Sequence, residues 1–319
     1  MSGLASKLPV QTAGVCTAGE AQAEALACRL RQVAARTKGT FAFYVHDLES
    51  GVCVAIRADE SFPAASVIKL PILLRVLELV HAGEAHLDQP LRLTEWHKTG
   101  GSGVLQHFHS GLEVTLEDAC TAMIALSDNT ATNLVLDVTG IDPVNAMLDR
   151  RECPRTRLHR YFGKPEMPGP PGPSQAVPRE IGRLLETLVG QDYLAAELRA
   201  KAVAMLRLQT HRALIPRLLP EGTSVAHKTG SLDGVRHDAG IIWRPRQLPV
   251  RSPKSEVRSR EEDATGHPLV LVAMSRDVAD RRWTVENAAE RTIARAAKAV
   301  FDYFTLPLPA PPLPLPRRR

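Results

Sequence analysis

Three short clusters in this chain carry residue types that can break and make acyl bonds. They are Ser66-Val67-Ile68-Lys69, Ser127-Asp128-Asn129 and Lys228-Thr229-Gly230, the last followed by Ser231. On a helix, residues three apart share a face, so Lys69 can set its amine beside the Ser66 hydroxyl. A serine hydroxyl is a poor nucleophile until a base takes its proton. A lysine can be that base only when desolvation and neighbouring cations depress its pKa. Lys228, on a strand across a cleft, would be such a cation. Ser127 would hand a proton to the leaving nitrogen, and Asn129 would hold Lys69 and the substrate amide. Gly230 would let the strand backbone run close to the ligand. The hydroxyls of Thr229 and Ser231 suit a substrate carboxylate.

Each cluster alone has a plainer reading. Ser66 and Lys69 can be a helix-start serine and a snorkelling lysine. Ser127-Asp128-Asn129 can be ordinary helix capping, and Lys228-Thr229-Gly230 can simply end a strand at a turn. A given tripeptide arises by chance in roughly a few per cent of chains this long. All three in order, each in a fitting context, favour the chemical reading. His107, His109, His227 and His237 are close to the motifs in sequence and read as loop or cleft-lining residues. None has metal-ligand spacing with a partner, so no metal and no cofactor is expected.

The elements that must hold these clusters follow from periodicity. Gly19 to Arg36 has apolar residues at helical spacing. Thr40 to Val45 and Val52 to Ile56, separated by turn residues, predict a β-hairpin. From Ser66 onward the text is helical, with further helices over Leu116 to Leu126, Thr130 to Val138, Arg179 to Val189 and Ala195 to Leu206. Pro165 to Pro178 is rich in Pro and Gly and predicts a loop without regular structure. Val225 to Thr229, Ala239 to Trp243 and Leu269 to Met274 read as strands, and Thr284 to Phe304 as a closing helix. Strands from both ends of the chain would meet in one antiparallel sheet, with the central helices inserted as a second lobe. The fold class expected is α/β, of the α+β sandwich type: an antiparallel sheet flanked by helices plus an all-helical lobe. One catalytic domain over 19–305 is expected, its α/β lobe about 19–62 and 215–305 and its helical lobe about 63–214. The charged segment between Arg244 and Pro268 reads as a mobile hairpin tip, and 306–319 as a disordered Pro-rich basic tail.

The 319 residues, 44% hydrophobic and 24% charged, allow one large domain or two intimate lobes. The net charge of +5 is modest, and no basic helix interleaved with aromatics accompanies it, so a nucleic-acid partner is not expected. Cys16, Cys28, Cys53, Cys120 and Cys153 are odd in number and scattered, which predicts reduced thiols, although a disulfide between two of them stays open. Met1 to Cys28 has no apolar core of signal-peptide length, and no stretch approaches membrane-spanning length. As written, the chain reads as a cytoplasmic monomer with no membrane partner, although a misplaced start would hide an export signal.

The three motifs together resemble those of class A β-lactamases and penicillin-binding proteins. The resemblance extends to the lead-in Phe62-Pro63-Ala64-Ala65-Ser66 and to the cleft-wall loop Gly101-Ser102-Gly103-Val104-Leu105. It extends also to the helix from Thr115 through Met123, Ala131 and Asn133, and to Gly240-Ile241-Ile242 after the third motif. It covers roughly Gly19 to Phe304. It implies a serine hydrolase that forms an acyl-enzyme on Ser66 with β-lactams or related amides and esters. The backbone N–H groups of Ser66 and Ser231 would form its oxyanion hole. Catalytic roles would fall to Ser66, Lys69, Ser127 and Lys228, and substrate binding to Asn129, Thr229, Gly230 and Ser231.

The sequence departs from that family in one loop. Class A β-lactamases carry Glu-x-x-Leu-Asn, whose Glu activates the water that frees the acyl-enzyme. Here Thr156-Arg157-Leu158-His159-Arg160 resembles the entry, but Phe162 falls where the Glu belongs, and a short insertion would put Lys164 there. Glu166 is the nearest carboxylate and lacks the following Leu-Asn. Slow deacylation is expected. An arginine for the substrate carboxylate is not evident either: Arg236 is near the expected strand, while Ala239 precedes Gly240. A penicillin-binding-type peptidase or covalent β-lactam sensor therefore stands beside the hydrolase reading. A non-catalytic scaffold is disfavoured by three intact motifs.

Overall fold

The computed structural model describes residues 18–190, 193–245 and 266–305. In chain order they form α1 (Ala18–Ala34), β1 (Thr40–Asp47), β2 (Cys53–Ile56), β3 (Phe62–Pro63), a 3-10 turn over Ala65–Ile68 and α2 (Lys69–His81). Then come β4 (Pro90–Arg92), β5 (Glu113–Thr115), α3 (Leu116–Ala125), α4 (Asn129–Thr139), α5 (Ile141–Arg150), β6 (Gln175–Ala176), α6 (Pro178–Val189) and α7 (Ala196–Arg207). The chain closes with β7 (Ser224–Leu232), β8 (Val235–Arg244), β9 (His267–Arg276) and α8 (Ala288–Thr305).

The main sheet has five strands in the order β2-β1-β9-β8-β7. Every neighbouring pair is antiparallel, and Phe43 on β1 sits opposite Ala273 on β9, so the two ends of the chain meet in the middle of the sheet. Alternation along each strand sorts the side chains onto two faces. Ala42, Tyr44, Ile241, Val272 and Met274 join a core with α2, α3, α4 and the helices that follow. Phe41, Phe43, Val45, Ile242 and Leu271 pack against Leu26 and Leu30 of α1 and Ile293 and Val300 of α8. Because β9 is covered on both sides, it reads as a continuous apolar run from Leu269 to Met274 rather than as an alternating one, whereas β8 buries Arg236, His237 and Asp238 as well.

The structure differs from the sequence expectations in a few places. The helix expected from Ser66 starts as a 3-10 turn, and regular α-helix begins only at Lys69. α5 was not expected; it follows α4 after the single residue Gly140, whose φ of 67° reverses the chain. Pro143 lies in its first turn, where a missing N–H leaves no bond unmade. The segment expected to be an irregular loop contains β6, which pairs with β3 just ahead of Ser66 and so straps the loop to the nucleophile turn. Pro178 opens α6 rather than ending the loop. α8 starts at Ala288, not Thr284, because the Asn287 side chain binds the Asp280 and Arg282 carbonyls and folds the preceding segment into a turn. The expected hairpin tip and Pro-rich tail fall largely or wholly outside the described residues. Cys28 and Cys53 are exposed free thiols, and Cys120 and Cys153 buried ones. No helix among the described residues is long and apolar enough to cross a membrane.

Candidate active site

Ser66 is delivered into a cleft between the sheet edge β7 and the helices by the turn over Ala65–Ile68. Ala65, just before it, holds φ at 46°, a conformation rare for a residue with a Cβ. Strand β7 comes so close to this turn that a Cβ on Gly230 would lie 3.1 Å from the backbone N of Ser66. Gly230 lines the cavity, and its missing side chain also leaves room for the backbone of the nucleophile turn beside it.

Lys69 is fully buried one turn along. Its amine donates to the Ser127 carbonyl at 2.6 Å, the Ser127 Oγ at 3.2 Å and Asn129 Oδ1 at 2.8 Å. Lys228, also fully buried, donates to the same Ser127 Oγ at 3.0 Å and to the Thr229 carbonyl at 2.9 Å. The Ser127 hydroxyl thus sits between two amines. A hydroxyl oxygen that accepts from both has its own proton left to give. Burial, reinforced by the Lys228 charge and opposed by Asp128, holds Lys69 well below the ordinary lysine range. Burial likewise brings Lys228 down to about 7, against the pull of Asp238. Lys69 and Ser66 share no hydrogen bond here, and such catalytic contacts often close only around a substrate.

The second motif is held by a loop that only glycine can build. Asp128 caps α4 through the Ala131 N–H at 2.8 Å and accepts from Val104 N at 2.6 Å and Leu105 N at 2.9 Å. A Cβ on Gly103 would lie 2.2 Å from Asp128 Cγ, and one on Gly101 2.7 Å from Asn129 Nδ2. Asn129 Nδ2 donates to the Gly100 carbonyl, which aims its Oδ1 at Lys69. Ser127 takes a φ of 55°, and that strain presents its hydroxyl to the cleft rather than to the helix.

A cavity of about 950 Å³ joins these groups, lined by Ser66, Ser127, Asn129, Thr229, Gly230 and Ser231 among others. All eight residues singled out from the sequence therefore converge: six line the cavity, and Lys69 and Lys228 sit beneath it, bonded to Ser127. On the opposite wall the Phe162 ring stands with its centroid 4.7 Å from the Lys69 amine. Lys164 also lines the cavity and lies over the Trp96 ring at 5.4 Å, whereas Glu166 is exposed and does not line it. Asn133 was noted in sequence only as part of a resemblance. It accepts from Phe162 N at 2.8 Å and donates to the Phe162 and His97 carbonyls at 3.0 Å, which fixes Phe162 over Lys69. Its place four residues after Asn129, on the same helix face, was the signal available.

Two sequence readings are corrected. His227 and His237 are buried in the sheet rather than lining the cleft. His237 Nε2 meets the Pro63 carbonyl at 2.7 Å, and burial lowers its pKa to about 4, so it is a neutral support under the Ser66 turn. Arg236 is no carboxylate ligand. It is buried and spends its donors on the carbonyls of Leu232, Val235 and Arg282 and on Glu290. No cluster of His, Cys, Asp and Glu suited to a metal ion occurs among the described residues.

The model of the beta-lactamase enzyme family matches residues 25–251. A β-lactamase of Streptomyces fradiae is 33% identical over 70% of this chain and 75% of its own length. One from Amycolatopsis lactamdurans is 32% identical over 73% of this chain and 78% of its own length. The crystal structure of a β-lactamase from Sphaerobacter thermophilus superimposes with a TM-score of 0.73 at 29% identity, covering 91% of this chain and 98% of that one. A mutant of PBP-A, in a structure described as an acyl-enzyme complex with penicillin G, shares the fold with a TM-score of 0.74 at 24% identity over 88% of this chain and 96% of its own. The chain belongs to the β-lactamase enzyme family.

Proposed function

We propose that this chain is a serine hydrolase of the class A type that opens β-lactams and related amides or esters through an acyl-enzyme on Ser66, and that the acyl-enzyme is released slowly. The observation that carries the first half is the Ser127 hydroxyl held between the amines of Lys69 and Lys228 in the Ser66 cleft. Lys69, whose pKa burial lowers well below the ordinary lysine range, takes the Ser66 proton as Oγ adds to the carbonyl. The backbone N–H groups of Ser66 and Ser231 receive the oxyanion. Ser127 gives its proton to the leaving nitrogen and is resupplied by the amines behind it. Thr229 and Ser231 take the substrate carboxylate, and Asn129 the acyl amide. This work belongs to one domain over 19–305.

Phe162 supports the second half. Deacylation needs a base that holds water against the ester carbonyl, and at the place expected of it stands a phenyl ring packed on Lys69. A ring cannot polarise water. The same observation favours a second reading, a penicillin-binding-type peptidase or covalent sensor with little turnover. Rapid mixing with a chromogenic cephalosporin, followed by intact-mass analysis, tests both halves. The expected result is a stoichiometric burst, a slow steady phase and an adduct that is absent from Ser66→Ala. Fast linear turnover without a burst overturns the slow-release reading, and an adduct on Ser66→Ala overturns the nucleophile.

A further inference from the structure

The cleft extends past the acylation machinery to a wall that the chemistry above does not use. Trp283, Val285 and Leu232 line the same cavity as Ser66, and they are 67%, 54% and 39% exposed. Apolar side chains grouped at the mouth of a catalytic cleft mark a place where something apolar lands. The wall is stiff. Arg236, buried below, donates to the Leu232 carbonyl at 2.7 Å and to the Arg282 carbonyl at 2.9 Å, and so bolts the loop before α8 to the β7–β8 turn. Asn287 binds the Asp280 and Arg282 carbonyls from the other side, and Arg217 holds the Val285 carbonyl. The Arg236 guanidinium also lies over the Trp283 ring at 4.5 Å. One face of the indole is therefore covered and the other is open and pre-positioned.

The chemistry of the occupant follows. A cation already occupies the buried face of Trp283, so the open face disfavours a second cation and suits a neutral aromatic ring. Glu290, which lines the cavity, pairs its Oε1 with the same Arg236 at 3.3 Å, while its Oε2 lies 3.5 Å from His211 Nε2 and accepts no hydrogen bond. Leu232 follows directly on Ser231, whose hydroxyl is assigned to the substrate carboxylate. A group carried next to that carboxylate, on the ring fused through the leaving nitrogen, is thus the part of a substrate that reaches this wall. A cavity of about 950 Å³ holds a drug-sized molecule, more than the strained ring alone.

We infer that Leu232, Trp283 and Val285 form a specificity subsite for a neutral aromatic substituent on the leaving side of the substrate. The inference rests on the acyl-enzyme reading above, and the test separates the two. Two cephalosporins are compared, identical except for a methyl or a phenyl group on the ring carbon next to the carboxylate-bearing carbon. Acylation rates are read by intact mass. The phenyl compound should acylate roughly three- to tenfold faster, the range of one aromatic pair. That ratio should fall to about one in Trp283→Ala and persist in Trp283→Phe. A ratio near one in the parent protein, or one that survives in Trp283→Ala, overturns the subsite. Non-covalent binding of both compounds to Ser66→Ala, followed by isothermal titration calorimetry, gives the same comparison without chemistry. The phenyl compound should bind more tightly, and the double variant with Trp283→Ala should lose the difference. Failure to acylate either compound with the binding preference intact removes the acyl-enzyme reading and leaves the subsite standing.

Discussion

Replacing Lys228 by Met should stabilise the fold at neutral pH and destabilise it at high pH. The amine is fully buried and titrates at about 7, against an ordinary 10.5 for the unfolded chain. At pH 7 the unfolded chain holds this proton firmly and the folded one only half the time. Folding therefore carries a cost on the order of 4 kcal/mol from this one group. Met removes that cost at similar volume. It also removes the hydrogen bonds to Ser127 Oγ and the Thr229 carbonyl, at about 1 kcal/mol each. The net gain at pH 7 is about 2 kcal/mol, or roughly 5 °C in Tm for a domain of this size. Between about 7 and 10.5 the unfolded state binds more protons than the folded one, so the parent protein gains stability as pH rises through that window. At pH 10.5 the unfolded amine is half neutral and the cost falls below about 1 kcal/mol. The lost hydrogen bonds then dominate, and Lys228→Met should be the less stable protein. Urea unfolding of both proteins at pH 7 and pH 10.5, followed by far-ultraviolet circular dichroism, measures the difference. A difference that keeps one sign across the range refutes the assignment of Lys228 as an amine held down by burial.

Lys69→Ala should slow acylation by roughly a thousandfold, because it removes both the base and the anchor of Ser127; a stopped-flow burst rate within tenfold of the parent would count against that role. Phe162→Glu should place a carboxylate where Asn133 already fixes the backbone, and should speed the slow phase by roughly tenfold or more. Glu166→Gln, on an exposed residue outside the cavity, should leave that phase unchanged, and the same steady-state assay checks both. Asp128→Ala should cost about 2–4 kcal/mol in urea unfolding, since it removes a helix cap and strands the Val104 and Leu105 N–H groups; a loss below about 1 kcal/mol would show that the loop re-forms without it.

Much of this protein is written in local pattern. The strand-forming pattern of β1, β2 and β9 is a property of neighbouring residues, and the meeting of strands from both ends of the chain in one antiparallel sheet was expected from it, whereas the order β2-β1-β9-β8-β7 is set by the packed structure. The candidate site residues were legible as three clusters in order, and the structure brings them around one cavity. Three things were not legible, each for a physical reason. The chemistry of Lys69 and Lys228 lies in their complete burial and in the Ser127 hydroxyl between them, and burial is a property of the packed molecule. Arg236 and His237 lie within a few residues of the third motif and looked like site residues. Strand alternation sends them to opposite faces, Arg236 to the carbonyls of Leu232 and Arg282 and His237 to the Pro63 carbonyl, both in structural work. The Trp283 wall comes from a segment about fifty residues beyond that motif, and no local pattern brings it to Leu232. Only the folding of β8 and β9 back across the sheet, with Arg236 bridging the two loops, puts it at the mouth of the site.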